Sequence, residues 1–199
     1  MLVAGLAALF LVTFVIRTFY IPSVSMVPAL QVGDVLLVDE IAYRLHAPQR
    51  GDVAIFTPPV PSHGDEFVKR VIATGGDTLR ISDGVVYRNG TALREPYENQ
   101  PPRYDLHVER YGIYVDGVAL DPRNADIPPR SMWQASNRVP AGFYVMLGDN
   151  RNYSDDSHVW GFARGSGTFP TGPMAGRPAG FAGRVFAVFW PLRRAQVMR

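Results

Sequence analysis

The sequence predicts a mainly β protein in which an N-terminal transmembrane helix precedes a β-rich core with a smaller inserted β lobe. Glycine and proline make up 36 of the 199 residues, which is high for a helical bundle and typical of short strands joined by turns. The first 16 residues (MLVAGLAALFLVTFVI) carry no charge. Short apolar runs of strand length then recur along the chain, separated by turn-forming residues.

The composition excludes several classes of protein. The hydrophobic content of 47% is enough to bury a core. The net charge is only +2, and the 20 Lys and Arg residues are scattered singly or in pairs, so we expect no nucleic-acid partner. The chain has no Cys, which excludes disulfides, thiol catalysis and Cys-based zinc sites.

The apolar N-terminal segment is the candidate membrane anchor. Sixteen helical residues span about 24 Å, whereas the hydrocarbon core of a bilayer is about 30 Å thick. A helix running on to Ile21 would span about 31 Å, with Arg17 snorkelling to the headgroups and Tyr20 at the interface. A cleaved signal peptide would need a basic start and a small-x-small site, and a buried core helix would show a polar stripe. The segment shows none of these features, so we assign residues 1–20 to a single-pass anchor.

Apolar runs predict the strands of the core. Two of them directly follow a Gly-Asp pair, which is a turn signal. A segment rich in Gly, Pro, Thr and Ser (164–183) predicts a long loop before the last strand. The predicted strands are VLLV (35–38), VAIF (53–56), EFVKRVIA (66–73), FYVML (143–147) and RVFAVFW (184–190).

Two similar segments predict the inserted lobe. VYRNGTAL (86–93) and IYVDGVAL (113–120) each alternate apolar residues around Asn-Gly or Asp-Gly, the strongest short signal for a β-hairpin. We therefore expect two hairpins in a lobe over 78–140. The core then comprises 21–77 and 141–199.

Two segments near the anchor carry candidate catalytic groups. IPSVSM (21–26) places two serines between prolines, a pattern that also fits a plain juxtamembrane linker. In FVKR (67–70), Lys69 and Arg70 are neighbours in an apolar strand pattern and point to opposite faces. At least one of these cations is expected to point inward, and a buried Lys needs a reason. The alternative is an edge strand with solvated ends.

A third segment, GDNRNYSDDS (148–157), holds three carboxylates within eight residues. Asp149, Arg151 and Tyr153 take the first, third and fifth positions of a calcium-loop pattern, and two of these residues are wrong for the ion. The four His residues show no metal-binding spacing. We therefore expect no metal and no cofactor.

Taken together, three segments resemble the signature boxes of the signal peptidase I (leader peptidase) family, which are Ser/Lys dyad serine proteases. They occur in order along a chain that fits from anchor to final strand, and GDTLRISDGVVYRNGTALREPY resembles the start of the family's inserted β lobe. The boxes are IPSVSMVPAL, GDEFVKRVIATGGD and MLGDNRNYSDDSHVWGF. The third of them (146–162) is called the late box below. The resemblance implies a catalytic core of antiparallel sheets and removal of N-terminal signal peptides after an Ala-x-Ala site.

The resemblance also implies a role for individual residues. It makes Ser25 the nucleophile and Lys69 the general base, with the Ser23 hydroxyl and the Ser25 amide as the oxyanion hole. The supporting residues would be Ser154, which orients Lys69; Asp149 and Arg70, which form an ion pair; Asp156, which braces the late box; and Gly148, which leaves space beside the lysine. The substrate-binding residues would be Tyr20, Ile21, Met26, Leu30 and Val68.

Three features depart from the family pattern. His158 stands where the family usually has an Arg paired with the carboxylate of Asp156. Val24 stands where Gly is common. The loop over 164–183 is longer than the family usually needs.

The resemblance further implies partners and a location. We expect a monomer in the bacterial cytoplasmic (inner) membrane, with its catalytic domain on the outer face, acting on signal-peptide-bearing preproteins beside membrane lipid. Two alternatives remain open: a specialised conjugation- or pilin-type peptidase of the same family, and a membrane-tethered β domain that binds without catalysis. In the second case Ser25 and Lys69 would lie far apart.

Overall fold

The computed structural model describes residues 16–61, 66–170, 174 and 176–198. Most of the predicted anchor therefore lies outside the described residues. Its last part is described and differs from the prediction: Ile16–Tyr20 form strand β1, which pairs antiparallel with β2, Val35–Asp39. The guanidinium of Arg17 forms ion pairs with Glu40 and Glu66. The extension of the anchor helix to residue 20 is thus wrong, because these residues take their backbone partners from a sheet. Within the described ranges, no helix is long and apolar enough to cross a membrane.

Fourteen strands are described, and their pairings are antiparallel. The larger sheet has the order β1-β2-β13-β3-β4-β11-β12, and β14 pairs with β13. After β1 and β2, its strands are β3 (Val53–Phe56), β4 (Phe67–Thr74), β11 (Phe143–Leu147), β12 (Ala163–Arg164), β13 (Phe181–Trp190) and β14 (Gln196–Val197). The five strands predicted for the core are all present, which confirms the mainly β fold.

The smaller sheet has the order β10-β9-β8-β5-β6-β7. Its strands are β5 (Leu79–Ser82), β6 (Val85–Arg88), β7 (Thr91–Ala92), β8 (Leu106–Glu109), β9 (Gly112–Val115) and β10 (Val118–Ala119). The described residues also include two short helices, α1 (Ala42–Leu45) and α2 (Ser157–Trp160), and three 3₁₀ turns, Arg130–Met132, Arg151–Tyr153 and Leu192–Arg194.

The two predicted hairpins are confirmed. Asn89-Gly90 joins β6 to β7 and Asp116-Gly117 joins β9 to β10, with positive φ at all four residues, as a type I′ turn requires. A third turn of this kind, Asp83-Gly84 between β5 and β6, carries the same dipeptide signal. The turn between β8 and β9 uses Arg110-Tyr111, with φ of 49° and 65°. Neither residue type favours positive φ, so the sequence does not predict this turn.

The long loop before the last strand is shorter than predicted. Strand β13 begins at Phe181, where it pairs with Phe56 of β3, so 181–183 belong to the sheet. Within the loop, Thr168 and Pro178 form an isolated antiparallel bridge. The prediction missed the start of β13 because two glycines, Gly180 and Gly183, interrupt the apolar pattern there.

One hydrophobic cluster contains side chains of both sheets. Val145 and Leu147 of β11 belong to the same cluster as Ile81, Leu106 and Ile113 of the smaller sheet. The division into a core (21–77 and 141–199) and an inserted lobe (78–140) stays a prediction. A second cluster lies under the segment between β1 and β2 and includes Ile21, Met26 and Leu30. It supports the serine-bearing loop described below.

Strand β13 lies so close to β2 at Gly183 that a side chain there would collide with β2. A Cβ on Gly183 would lie 2.6 Å from Val38 Cγ1 and 2.7 Å from the Asp39 carbonyl oxygen, closer than real Cβ atoms approach. Gly183→Ala should therefore lower the free energy of unfolding by about 1–3 kcal/mol, because neighbouring strands must separate. Urea unfolding measures this loss.

Gly112→Ala is the matched control, since Gly112 also lies in a strand and its added Cβ would meet nothing closer than 3.9 Å. Both variants change the unfolded chain in the same way. A Gly183→Ala protein as stable as the Gly112→Ala protein would contradict the close packing of β13 on β2.

Candidate active site

The segment between β1 and β2 is a closed loop that carries both candidate serines. The Ile21 amide donates to the Asp34 carbonyl and the Gly33 amide donates back to the Ile21 carbonyl, both at 2.9 Å. Asp34 is buried and receives a bidentate pair of hydrogen bonds from Arg194, at 2.8 and 2.9 Å. Apolar side chains fix the loop from below, because Met26 is fully buried in the second cluster. The loop is therefore fixed by hydrogen bonds between its two ends and by the apolar cluster beneath it.

Ser25 and Lys69 come together in this structure. Lys69 lies on β4, and its Nζ donates a hydrogen bond of 2.9 Å to Ser25 Oγ, across 44 residues of sequence. Both residues are buried, with 6% and 5% of their surfaces exposed. Ser23 Oγ lies 3.2 Å from Ser25 Oγ. The Phe67 ring centre lies 5.3 Å from Nζ, so the amine faces an apolar wall.

Burial decides the ionisation of the amine. Removal from water lowers the pKa of Lys69 to about 8, while the carboxylates of Asp156, Asp155 and Asp149 act in the opposite direction. Desolvation is the larger effect. A neutral amine within hydrogen-bonding distance of a hydroxyl can act as a general base, which a fully charged ammonium cannot.

The chain contains one lysine, Lys69, and the other 19 of its 20 Lys and Arg residues are arginines. This count is a signal that the motif comparison did not use. A guanidinium keeps its charge at every ordinary pH, whereas an ammonium can lose its proton when buried. The sequence thus places its only titratable ammonium side chain against the candidate nucleophile.

A cavity of about 850 Å³ opens in front of the two residues. Of the predicted substrate-binding residues, Tyr20 and Val68 line it. Ile21, Met26 and Leu30 do not, and their prediction as direct contacts is corrected, because they are 0–1% exposed and pack into the hydrophobic cluster beneath. The lining residues are Phe19, Tyr20, Pro22, Ser23, Val24, Ser25, Glu66, Phe67, Val68, Lys69, Asn152, Tyr153, Ser154, Asp155 and His158.

The late box is tied to the serine loop through its backbone. The Asn150 amide donates to the Ser25 carbonyl at 3.0 Å, and the Asn150 side-chain amide donates to the Val24 carbonyl at 3.1 Å. Sequence analysis missed Asn150. Its contacts are to backbone atoms 125 positions away, which no local pattern reveals.

Gly148 packs against Ser154 and the Ser25 backbone. A Cβ on Gly148 would collide with Ser154 Oγ and the Ser25 carbonyl oxygen, and would lie 2.6 Å from Ser154 Cβ. The glycine therefore makes room for Ser154 and the Ser25 backbone, and the space that it leaves beside the lysine stays a prediction. Ser154 Oγ is buried and has no hydrogen-bond partner among the described residues. The predicted hydrogen bond between Ser154 and Lys69 is therefore absent from this structure, in which the amine donates to Ser25 Oγ.

Arg70 points to the opposite face of β4 and is buried there. Its Nε and Nη2 donate to the two carboxylate oxygens of Asp149 at 2.8 and 2.7 Å, and its Nη1 donates to the Gly51 carbonyl at 2.8 Å. The Tyr97 ring lies 3.8 Å from the guanidinium carbon. Strand β4 lies between β3 and β11, so the edge-strand alternative is wrong. Both cations point into the protein because both faces of the strand are covered.

Arg151 forms a second buried ionic group that sequence analysis missed. Its side chain is fully buried, and Nη1 donates to Glu95 at 2.8 Å and to Glu98 at 3.1 Å. Its Nε donates to the Gly148 carbonyl at 3.0 Å. Burial raises the pKa of Glu98, against the lowering effect of Arg151. This group joins the segment after β7 to the backbone beside Ser154.

Asp156 and its partner His158 complete the site. Asp156 is fully buried; its Oδ2 accepts from the Gly148 amide at 2.9 Å and its Oδ1 accepts from the His158 amide at 3.2 Å, which caps α2. His158 Nδ1 lies 2.7 Å from Oδ1. The Tyr104 ring stacks on the imidazole with centres 4.4 Å apart. In the part of the chain that the structure describes, no group of three His, Asp or Glu residues could hold a metal ion.

Comparisons with known proteins find one family. The family model described as signal peptidase, peptidase S26, matches residues 1–177. A probable signal peptidase I-1 of Synechocystis sp. is 40% identical over 168 residues, which cover 81% of this chain and 71% of the relative. A probable signal peptidase I-2 of the same organism is 36% identical over 202 residues, covering 100% and 74%. A crystal structure of a signal peptidase I from Enterococcus faecalis aligns with 60% of this chain and 91% of that chain, at 31% identity and a TM-score of 0.42.

The burial of Lys69 should be measurable as a loss of stability. Its pKa of about 8 in the folded protein lies below the ordinary lysine value of 10.5, so the unfolded chain binds the proton more tightly. The destabilisation is complete below pH 8, shrinks as the pH rises towards 10.5 and is absent above. Lys69→Met should therefore raise the free energy of unfolding by about 3 kcal/mol at pH 7.

This gain should disappear between pH 8 and 10.5 in urea unfolding at a series of pH values. Ser25→Ala is the matched control, because it also removes the hydrogen bond between the two residues but keeps the amine. A gain for Lys69→Met that does not depend on pH would argue against a depressed pKa.

Proposed function

Since the chain belongs to the signal peptidase family, peptidase S26, and is a serine endopeptidase, we propose that Ser25 and Lys69 are its catalytic dyad in the removal of signal peptides from preproteins. The observation that carries this proposal is the 2.9 Å contact between Lys69 Nζ and Ser25 Oγ in a buried, largely apolar setting. It argues against the alternative of a non-catalytic β domain, which expects the two residues far apart.

The dyad supplies both proton transfers of acylation. The neutral amine takes the proton of the Ser25 hydroxyl while Oγ attacks the carbonyl carbon of the scissile bond. The tetrahedral intermediate collapses, the C–N bond breaks, and the ammonium of Lys69 gives its proton to the leaving amine. The signal peptide stays attached to Oγ as an ester. The same amine then takes a proton from a water molecule as the water oxygen attacks the ester carbonyl carbon. The C–Oγ bond breaks, the ammonium returns the proton to Ser25 Oγ, and the signal peptide leaves as a carboxylic acid that ionises in water.

Stabilisation of the oxyanion is assigned to Ser23 and the Ser25 amide. Ser23 Oγ lies 3.2 Å from Ser25 Oγ, so its hydroxyl can donate to an oxygen that develops beside the nucleophile. One such donor is worth about 3 kcal/mol of transition-state stabilisation. Ser154 is retained as a supporting residue: its buried hydroxyl packs beside Gly148, next to the Ser25 carbonyl.

Substrate selection is assigned to the cavity in front of the dyad. An extended chain can pair with exposed strand backbone, and small side chains then enter the shallow pockets. Tyr20, Phe67 and Val68 provide an apolar wall, which suits Ala one and three positions before the cut. Ile21, Met26 and Leu30 contribute indirectly, because they hold the loop that carries Ser25.

The membrane location is the remaining part of the proposal. The uncharged segment 1–15 and the family membership support a single-pass protein of the bacterial inner membrane, with the catalytic part on the outer face. A substrate whose signal peptide is itself apolar would then meet the site at the membrane surface. A conjugation- or pilin-type peptidase would use the same dyad and differ only in its substrates.

Cleavage of a purified preprotein, with the cut mapped by mass spectrometry, tests this function. Ser25→Ala and Lys69→Arg should abolish cleavage; the arginine keeps the charge and nearly the length but cannot become a neutral base. Replacement of His46, His63 and His107 with Asn or Gln should retain cleavage, because no imidazole takes part in the proposed proton transfer. An active Lys69→Arg or Ser25→Ala protein would disprove the Ser/Lys mechanism.

The same mechanism predicts a pH dependence. Only the neutral amine is competent, so kcat/KM on an Ala-x-Ala peptide should rise tenfold per pH unit and level off near pH 8, the pKa of Lys69. Circular dichroism at each pH is the control for folding. A plateau that already begins near pH 6.5 would instead indicate an imidazole base.

A further inference from the structure

Two buried aspartates near Lys69 have partners of different kinds. Asp149 is paired with Arg70 through two hydrogen bonds, and a guanidinium keeps its positive charge at every working pH. Asp156 is paired with His158 at 2.7 Å. Only the first of these two carboxylates therefore faces a guanidinium.

Asp156 connects this partner to the dyad. Its Oδ2 accepts from the amide of Gly148, and Gly148 packs directly against Ser154 and the Ser25 carbonyl. Its charge also reaches the amine, since among the carboxylates Asp156 acts most strongly to keep Lys69 protonated. Whatever changes the position or net charge at Asp156 thus changes the environment of the general base.

His158 is held in one orientation. The Tyr104 ring stacks on the imidazole at an angle of 13°. The His158 backbone amide donates to Asp156 Oδ1, the same oxygen that lies next to His158 Nδ1. The ring lines the cavity together with Lys69 and Asp155. The side chain is 21% exposed, so it can exchange a proton with solvent.

The other groups that face this pair do not compensate Asp156. Tyr104 is neutral, because burial raises the pKa of its hydroxyl and Asp156 raises it further. Asp155 and Glu66 line the same cavity and are acidic, and Tyr153 is a neutral phenol. Among the described residues, no arginine forms an ion pair with Asp156.

We propose that His158 is a positioning residue for the general base: its ring holds Asp156 against the Gly148 amide, and Asp156 has no guanidinium partner of its own. This inference rests on the proposed Ser25/Lys69 dyad. An arginine at position 158 would place a permanent cation beside Asp156, so Asp156 would favour the protonated amine of Lys69 less strongly and the amine would lose its proton at lower pH.

The test compares His158→Arg with His158→Asn and the wild type in kcat/KM between pH 6 and 10 on an Ala-x-Ala peptide. For His158→Arg, the onset of activity should move down by about half a pH unit, or about threefold higher kcat/KM at a fixed pH below it. His158→Asn adds no permanent cation, so its onset should stay at the wild-type pH. His107→Arg, which adds a cation on β8 of the smaller sheet, is the matched control and should shift nothing.

A second measurement does not depend on activity. Because Lys69 is the only lysine, protein labelled with ¹³C-lysine gives one side-chain signal, and its NMR titration reports this amine directly. The signal should titrate about half a pH unit lower in His158→Arg than in the wild type. If the arginine variant does not fold, Asp156→Asn removes the same negative charge and should shift the titration in the same direction.

The outcomes separate the inference from the function that it rests on. Equal onsets and equal titrations in the wild type and His158→Arg would overturn the inference, and so would a lower plateau in both His158 variants without a shifted onset. An active Lys69→Arg or Ser25→Ala protein would instead disprove the dyad. The NMR titration would still report whether His158 controls the charge of Lys69.

Discussion

The contact between Lys69 and Ser25 requires an amine that is buried away from water although carboxylates lie near it. Burial lowers the pKa of Lys69, and three nearby carboxylates act against this effect. The two buried carboxylates have partners: Asp149 pairs with Arg70, and Asp156 accepts from the Gly148 and His158 amides and faces the His158 ring. The third, Asp155, is exposed to solvent. A buried charge without a partner would cost several kcal/mol, so each buried acid needs its own donor.

The segment that follows β7 serves the same purpose from the other sheet. Glu95 and Glu98 pair with Arg151, and Tyr97 lies over Arg70. These contacts place side chains of the segment between β7 and β8 beside the late box. A change in this distant segment would therefore act on the geometry of the serine loop, although none of its residues lines the cavity. Energetic coupling of this kind is expected where a buried ionic network is shared between two elements.

Much of this arrangement was predictable, and the exceptions have physical causes. The core strands, two hairpins and the residues of the dyad follow from apolar runs, Asn-Gly and Asp-Gly pairs and the three ordered boxes. The strand at Ile16–Tyr20 was not predictable, because its sequence continues the apolar segment as a helix end would. It forms a strand because it pairs with β2. The acidic partners of Arg151 and the carbonyl partners of Asn150 lie more than 50 positions away along the chain, so no local signal identifies them. Ser154 was assigned to the lysine by motif alone, and only the packing beside Gly148 shows its actual neighbours.

The presence of a single lysine has a practical consequence for the chemistry of this protein. Reagents that acylate amines have one side-chain target, Lys69, besides the N-terminal amine. That target is buried, and its amine is uncharged at a lower pH than the amine of an ordinary lysine. Its rate of acylation therefore reports how easily a small electrophile enters the cavity. A bound peptide would shield it. The extent of covalent labelling at one position can thus serve as an occupancy probe, without a chromogenic substrate.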